Sequence, residues 1–285
     1  MGKEKILVTG SNGQLGKELQ KITNLYADYE FIFHDIDTLD ICSPESIAAV
    51  IPQDTSVIIN CAAYTAVDKA ETEELIAEKV NADGVRFLAA FAKKHNIHLI
   101  HISTDYVFDG KSHIPYKEID KTNPVSAYGR TKLAGEQAIK LSGCNATIIR
   151  TSWLYSSFGN NFVKTILRLG SEREQLSIVS DQIGTPTYAA DLASAILTAC
   201  QKRKEGFYLY HFANEGVCSW YDFAKEILTL SKSSCKILPI ETKDYPTLAT
   251  RPAYSVFDKQ KIKVDLDIEI PHWKDSLIIC LQQIV

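Results

Sequence analysis

The chain has 285 residues, 45% of them hydrophobic and 23% charged, enough for one large domain or two small ones with a sizeable core. A formal net charge of −4 and a pI near 6.0 argue against a protein held to nucleic acid by phosphate contacts. No apolar run approaches the ~18 residues of a membrane span, which argues against a membrane partner. Met1-Gly2-Lys3-Glu4-Lys5 leads into an apolar strand with no cleavage region, so the expectation is a soluble, cytoplasmic protein. Ile6 stands where a myristoylation signal at Gly2 requires Ser or Thr.

Lys5-Ile6-Leu7-Val8-Thr9 reads as a first strand, followed by a glycine turn and a helix from about Gln14 to Leu25. Phe31 to Asp35 and Val57 to Asn60 are the second and third strands, and Thr72 to Lys94 is a long helical stretch. Ile97 to Ser103 is a fourth strand, Ala127 to Leu141 a helix and Ala146 to Arg150 a further strand. Almost wholly apolar strands separated by helices imply a parallel sheet covered on both faces. Right-handed crossovers then give an α/β fold, a Rossmann-like doubly wound parallel sheet.

Beyond about residue 150 the pattern loosens. Asn161 to Leu167, Ala189 to Lys202 and Ser219 to Leu230 read as helices, the last capped by Ser219, and Phe207 to Phe212 as a strand. Gly184-Thr185-Pro186 and Arg251-Pro252 look like binding loops at a domain edge. The expected division is a dinucleotide-binding domain over residues 1–150, with later segments returning to it. A smaller, discontinuous C-terminal substrate lobe lies mainly over residues 151–285.

Seven cysteines, an odd number with no C-x-x-C pair, read as reduced and mostly buried thiols. His95, His98 and His101 are close in sequence, but His98 and His101 have opposite parity on a strand and should point to opposite faces. No H-E-x-x-H, EF-hand loop or complete phosphate-loop G-x-x-x-x-G-K-[ST] occurs, since Asp105 stands where Gly110-Lys111-Ser112 would need the first glycine, and no metal site is assigned.

Strand one ends in Thr9-Gly10-Ser11-Asn12-Gly13-Gln14-Leu15-Gly16, with the spacing G-x-x-G-x-x-G. Glycine there permits a tight turn and lets backbone N–H groups approach a pyrophosphate, to which the following helix offers its N-terminus. The spacing differs from G-x-G-x-x-G, so the common fingerprint is not strictly met. Asp35 ends strand two, nineteen residues after Gly16, where a carboxylate receives ribose hydroxyls. With Asp37 nearby it should repel a 2′-phosphate, so the residues favour NADH, although Asp37 reads equally as a solvated loop residue.

Tyr128 and Lys132 stand at i and i+4 and share a helical face. A phenol, with a reference pKa of ~10, is a sluggish acid near neutrality, and a neighbouring ammonium moves it toward the working range. Ile102-Ser103-Thr104-Asp105 places hydroxyls at the carboxyl end of strand four, the edge where such sheets bind ligands. A threonine there can donate to a carbonyl oxygen as it gains negative charge.

In combination these segments resemble the extended short-chain dehydrogenase/reductases, and within them the dTDP-4-dehydrorhamnose reductase family. The likeness is carried by Val8-Thr9-Gly10 through Gly16, Asn60 through Asp68, Ile102 through Phe108 and Tyr128 to Lys132. It continues in Arg150 through Tyr155, Asn160 to Val163, Asp181 through Thr187, Cys218 to Tyr221 and Arg251-Pro252. The resemblance implies reduction of the 4-keto group of dTDP-4-dehydro-L-rhamnose by NADH or NADPH, the family often using both. Thr104, Tyr128 and Lys132 would be the catalytic triad. Gly10, Asn12, Gly13, Gln14, Leu15, Gly16, Asp35, Asp40, Ile41, Ala62, Ala63 and Tyr64, with Tyr128 and Lys132, would surround the dinucleotide.

Val67, Thr104, Asp105, Tyr106, Phe108 and Trp153 would face the dTDP-linked deoxysugar. A large ring beyond a strand end, as at Trp153, suits a wall against such a sugar. The resemblance also implies a homodimer and, in some members, a linking magnesium ion. No acidic cluster can be assigned to one here, since Ala189-Ala190 precede Asp191. Where the family usually has Leu-Tyr-Gly, this chain has Leu154-Tyr155-Ser156. Two rivals stay open: a sugar-nucleotide epimerase that recycles tightly held NAD, and a non-catalytic regulatory subunit that keeps the nucleotide pocket.

Overall fold

A computed structural model describes residues 2–284. The apolar runs of the first half form β1 (Glu4–Thr9), β2 (Tyr29–Phe33), β3 (Thr55–Asn60), β4 (His98–Thr104) and β5 (Ala146–Thr151). Between them lie α1 (Gln14–Ile22), α2 (Pro44–Val50), α3 (Val67–Ala70), α4 (Glu74–Glu78), α5 (Val85–His95) and α6 (Ala127–Ser142). The second half contributes β6 (Leu154–Tyr155), α7 (Phe162–Glu172), β7 (Gln175–Val179), β8 (Ile183–Gly184), β9 (Thr187–Tyr188) and α8 (Ala189–Gln201). It ends with β10 (Phe207–His211), β11 (Cys218–Ser219), α9 (Trp220–Leu230), β12 (Lys236–Ile240), α10 (Gln260–Leu266) and α11 (Trp273–Leu281).

The main sheet is six-stranded and parallel, in the order β10-β5-β4-β3-β1-β2. Strand parity sorts its side chains. Ile6, Val8, Val57 and Ile59 pack on α1 and α8, while Leu7, Ile58, Leu99 and Ile148 pack on α5 and α6. Burial on both faces explains why these strands read as continuous apolar runs. Strand order reverses between β1 and β3, so their carboxyl ends open a crevice there. A separate core of Val163, Ile166, Phe223, Ile227 and Leu277 joins α7, α9 and α11 beside the small β7–β12 pair. All seven cysteines are free, four of them buried. No helix among the described residues is long and apolar enough to cross a membrane.

Two segments differ from the sequence expectation. The helical stretch over 72–94 divides, with a π-helical turn at Lys79–Gly84 between α4 and α5. That turn points the Asn81 side chain into the core, where its Oδ1 accepts from Tyr64 N at 2.9 Å and its Nδ2 donates to Tyr64 O at 3.1 Å. The same Nδ2 reaches Thr131 Oγ1 on α6 at 3.2 Å, so the local irregularity fastens a crevice loop to α6. Strand two ends at Phe33, leaving Asp35 in the following turn. Ser219 caps α9 through a reciprocal capping box with Asp222.

A buried ion pair ties α6 to the sheet. The guanidinium of Arg150 on β5 donates to Glu136 on α6 through Nε (2.8 Å) and Nη2 (2.7 Å), and Ser103 Oγ on β4 donates to Glu136 Oε1 at 2.5 Å. Both charged side chains are at most 7% exposed. Removing one partner strands the other charge, whereas two apolar replacements need not. Glu136→Ala is expected to lose about 3–5 kcal/mol of stability in urea unfolding, with part recovered by the double variant Glu136→Leu/Arg150→Met. A loss in the single variant below about 1 kcal/mol, the scale of an exposed pair, would show the bridge to be idle.

Candidate active site

At the carboxyl ends of β1, β3, β4 and β5 lies a cavity of about 730 Å³, within the range of small-molecule sites. The glycine turn forms one wall. Gly10 has φ of 65°, and a Cβ there would stand 2.6 Å from Ala62 N, so only glycine lets β1 and the β3 loop meet. A Cβ on Gly16 would fall 2.5 Å from Gly10 O, which explains how α1 presses against the turn. Gly13 is the N-cap of α1 and supplies no side-chain cap, leaving the first N–H groups of that helix without a side-chain acceptor. With Gln14 and Leu15 on the same wall, this is the donor set that an anionic pyrophosphate requires.

Asp35 stands at the end of this wall. Its Oδ2 accepts from Asn12 N at 2.7 Å and its Oδ1 from Ile36 N at 2.8 Å, so the carboxylate steadies the turn it borders. Asn12 is not on the wall; its backbone N–H is engaged by Asp35. Ile41, Ala62, Ala63 and Tyr64 border the cavity. Asp40 does not: its carboxylate turns back to accept from Cys42 N at 2.8 Å, closing a local turn.

Thr104 ends β4, and Tyr128 and Lys132 occupy the first turns of α6, whose N-cap Ser126 accepts from Gly129 N at 3.1 Å. All three border the cavity. Thr104 Oγ1 donates to Asp105 Oδ1 at 3.0 Å and accepts from Tyr106 N at 3.2 Å. Burial holds the Tyr128 phenol above its ordinary pKa, opposed by the Thr104 hydroxyl and reinforced by the Asp105 charge. Burial pushes the Lys132 ammonium down to about 8, against the pull of Glu136.

The ammonium does not rest on the phenol. Lys132 Nζ donates to Ile102 O at 2.7 Å and lies 3.3 Å from His101 Nε2, whose ring is held in turn by Asn60 Nδ2 at 3.0 Å from Nδ1. A buried cation needs a strong acceptor, and the β4 carbonyl supplies one. His98 is engaged elsewhere, 2.9 Å from Thr147 Oγ1.

Val67, Asp105, Tyr106 and Trp153 also reach the cavity, whereas Phe108 does not. The short 3-10 turn Asp105–Val107 carries Phe108 back into the core, 1% exposed, with its ring stacked on Tyr116 at 4.2 Å. Asp105 is buried, its Oδ2 has no hydrogen-bond partner among the described residues, and burial pushes its carboxyl up to about 6. Tyr106 Oη accepts from Arg251 Nη1 at 3.0 Å, and Arg251 Nη2 reaches Asp68 Oδ2 at 2.5 Å. Sequence reasoning assigned no role to Asn161, which borders the cavity and donates through Nδ2 to Gln14 Oε1 at 2.9 Å. The Asn160-Asn161 pair preceding an apolar helix was its signal, and Asn161 is also the N-cap of α7.

Among the described residues no group of three or more His, Cys, Asp or Glu side chains is placed to hold a metal ion.

The family model described as RmlD substrate binding domain matches residues 4–285. The dTDP-4-dehydrorhamnose reductase of Aggregatibacter actinomycetemcomitans is 42% identical, covering 96% of this chain and 97% of that protein. A crystal structure of a dTDP-4-dehydrorhamnose reductase from Clostridium acetobutylicum superposes with TM-score 0.93 at 42% identity, covering 98% of each chain. The dTDP-4-dehydrorhamnose reductase of Bacillus anthracis, solved in complex with NADP, gives TM-score 0.94 at 40% identity and 99% coverage of both chains. Matched over almost its whole length in sequence and in fold, the chain belongs to the dTDP-4-dehydrorhamnose reductase family, that of the RmlD substrate binding domain.

Proposed function

We propose that this cavity reduces the 4-keto group of dTDP-4-dehydro-L-rhamnose to dTDP-L-rhamnose, the last step of dTDP-rhamnose synthesis, with NADH or NADPH as the hydride source. The observation that carries this reading is the convergence of Thr104, Tyr128 and Lys132 on one cavity with an uncapped glycine-turn helix. Bound NAD(P)H supplies the hydride that reaches the keto carbon. The remaining work falls to the chain. Gly13, Gln14 and Leu15 offer N–H groups to the pyrophosphate, and Asp35 borders the ribose end.

The Tyr128 phenol, kept protonated at neutrality by burial, gives its proton to the oxygen that becomes the new hydroxyl. Thr104 supports the same oxygen while its negative charge develops. Lys132, anchored on Ile102 O rather than on the phenol, would offer its cation to the nicotinamide ribose. A substrate of this kind and seven unpaired thiols suit the reducing cytoplasm. A homodimer belongs to the same reading and is open to sedimentation velocity.

Tyr128→Phe keeps the ring and its packing but deletes the proton donor. Turnover of dTDP-4-dehydro-L-rhamnose should fall at least ~10²-fold with cofactor affinity retained. Near-normal turnover would remove the assignment of the acid.

Lys132 generates a prediction about pH. Its ammonium is charged below about 8 and neutral above it, so kcat/KM for the keto sugar should decline as pH rises through that value. Lys132→Arg should carry the decline upward, because a guanidinium keeps its charge across the range. Lys132→Met should abolish this limb, leave low activity and weaken cofactor binding. Profiles measured from about pH 6 to 10 that coincide for all three proteins would reduce Lys132 to a structural side chain.

A further inference from the structure

Trp153 has a backbone φ of 47°, in the left-handed region where a bulky aromatic residue is an outlier. Such a conformation persists only where the surroundings impose it, and it gathers at ligand sites. Three features impose it here. The indole lies flat on that of Trp220, with centroids 3.6 Å apart and planes 8° from parallel. Gly184 makes room for it: a Cβ there would stand 2.6 Å from Trp153 Cε2. The backbone is held as well, since Trp153 O accepts from Thr187 N at 3.2 Å.

Trp220 is fixed in its turn. It is the first residue of α9, behind the capping box of Ser219 and Asp222, and its ring packs on Phe162 at 4.6 Å. Trp153 borders the cavity, whereas Trp220 does not. The second tryptophan therefore reaches the site only through the first.

We propose that Trp220 is a positioning residue for the sugar. It holds the Trp153 indole as a rigid apolar wall on which the C–H-bearing face of the deoxysugar packs. This rests on the reductase reading given above. A wall fixed before binding spares the ordering of a loose side chain. It touches no reacting atom, so its loss weakens ground state and transition state alike and appears in KM more than in kcat.

Two parallel indoles in contact couple their electronic transitions, giving an exciton couplet in circular dichroism that reports their stacking independently of activity. Trp220→Leu should abolish the couplet and raise KM for dTDP-4-dehydro-L-rhamnose about tenfold, the scale of one aromatic contact, while kcat and NADPH affinity change far less. Trp220→Phe, which retains a ring to stack on, should restore most of the KM. Gly184→Ala, which keeps Trp220 but displaces the indole, should raise KM as Trp220→Leu does. If Trp220→Leu fails to fold, the Phe and Gly184→Ala variants carry the comparison. In Trp220→Leu, a lost couplet with unchanged KM overturns the proposal, as does a rise in KM that Trp220→Phe does not relieve. Failure of the unmodified protein to turn over the keto sugar overturns the reductase reading instead, and that result is separate from any ratio between variants.

Discussion

The site depends on one buried contact, the grip of Glu136 on Arg150 and Ser103. Tyr128, Lys132 and Glu136 follow each other at four-residue intervals on α6 and so share its inward face. Ser103 directly precedes Thr104 at the end of β4, and Arg150 nearly ends β5. The pair thus fixes both the height and the rotation of the helix that brings the phenol toward the strand-end threonine. Glu136 also helps keep Lys132 charged in a setting whose burial disfavours charge. A buried ion pair is weak evidence for stability on its own. Here its value is geometric, because it joins α6, which carries Tyr128 and Lys132, to β4, which carries Thr104, and to β5.

The glycine-turn wall follows a different logic, in which the backbone sets the geometry. Gly10 and Gly16 are required by close approach, and Gly13 leaves a helix start uncapped. Asp35 closes the arrangement by accepting from two turn amides, which holds its charge at the border of the cavity. Asn161 links this wall to the second half of the chain through Gln14. The two halves of the molecule therefore meet at the cavity itself.

The parallel sheet, the glycine turn and the cavity-facing side of α6 were legible because each is written locally. Continuous apolar runs mark buried strands, and the spacing of Tyr128 and Lys132 sets one helical face. What escaped the sequence depends on turn geometry and on contacts between segments. Phe108 follows a matching motif, yet the turn ahead of it delivers the ring to Tyr116 in the core. Asp40 is used up by its own turn. Spacing placed Lys132 beside Tyr128 but could not reveal that the Ile102 carbonyl captures the ammonium. The π turn that aims Asn81 at Tyr64 and Thr131 likewise leaves no mark in a helical periodicity.

The central claim is that hydride passes from the cofactor to the sugar's keto carbon in this cavity and stays there. It is tested most directly by supplying NADPH deuterated at the transferable position together with dTDP-4-dehydro-L-rhamnose, and locating the label by NMR. The account predicts one deuterium at C4 of the sugar for each cofactor oxidised, and none when Tyr128 is replaced by Phe within the same reaction time. Label that remains on the cofactor while the sugar changes configuration would contradict it, and would mark the chain as an epimerase that returns the hydride it borrows.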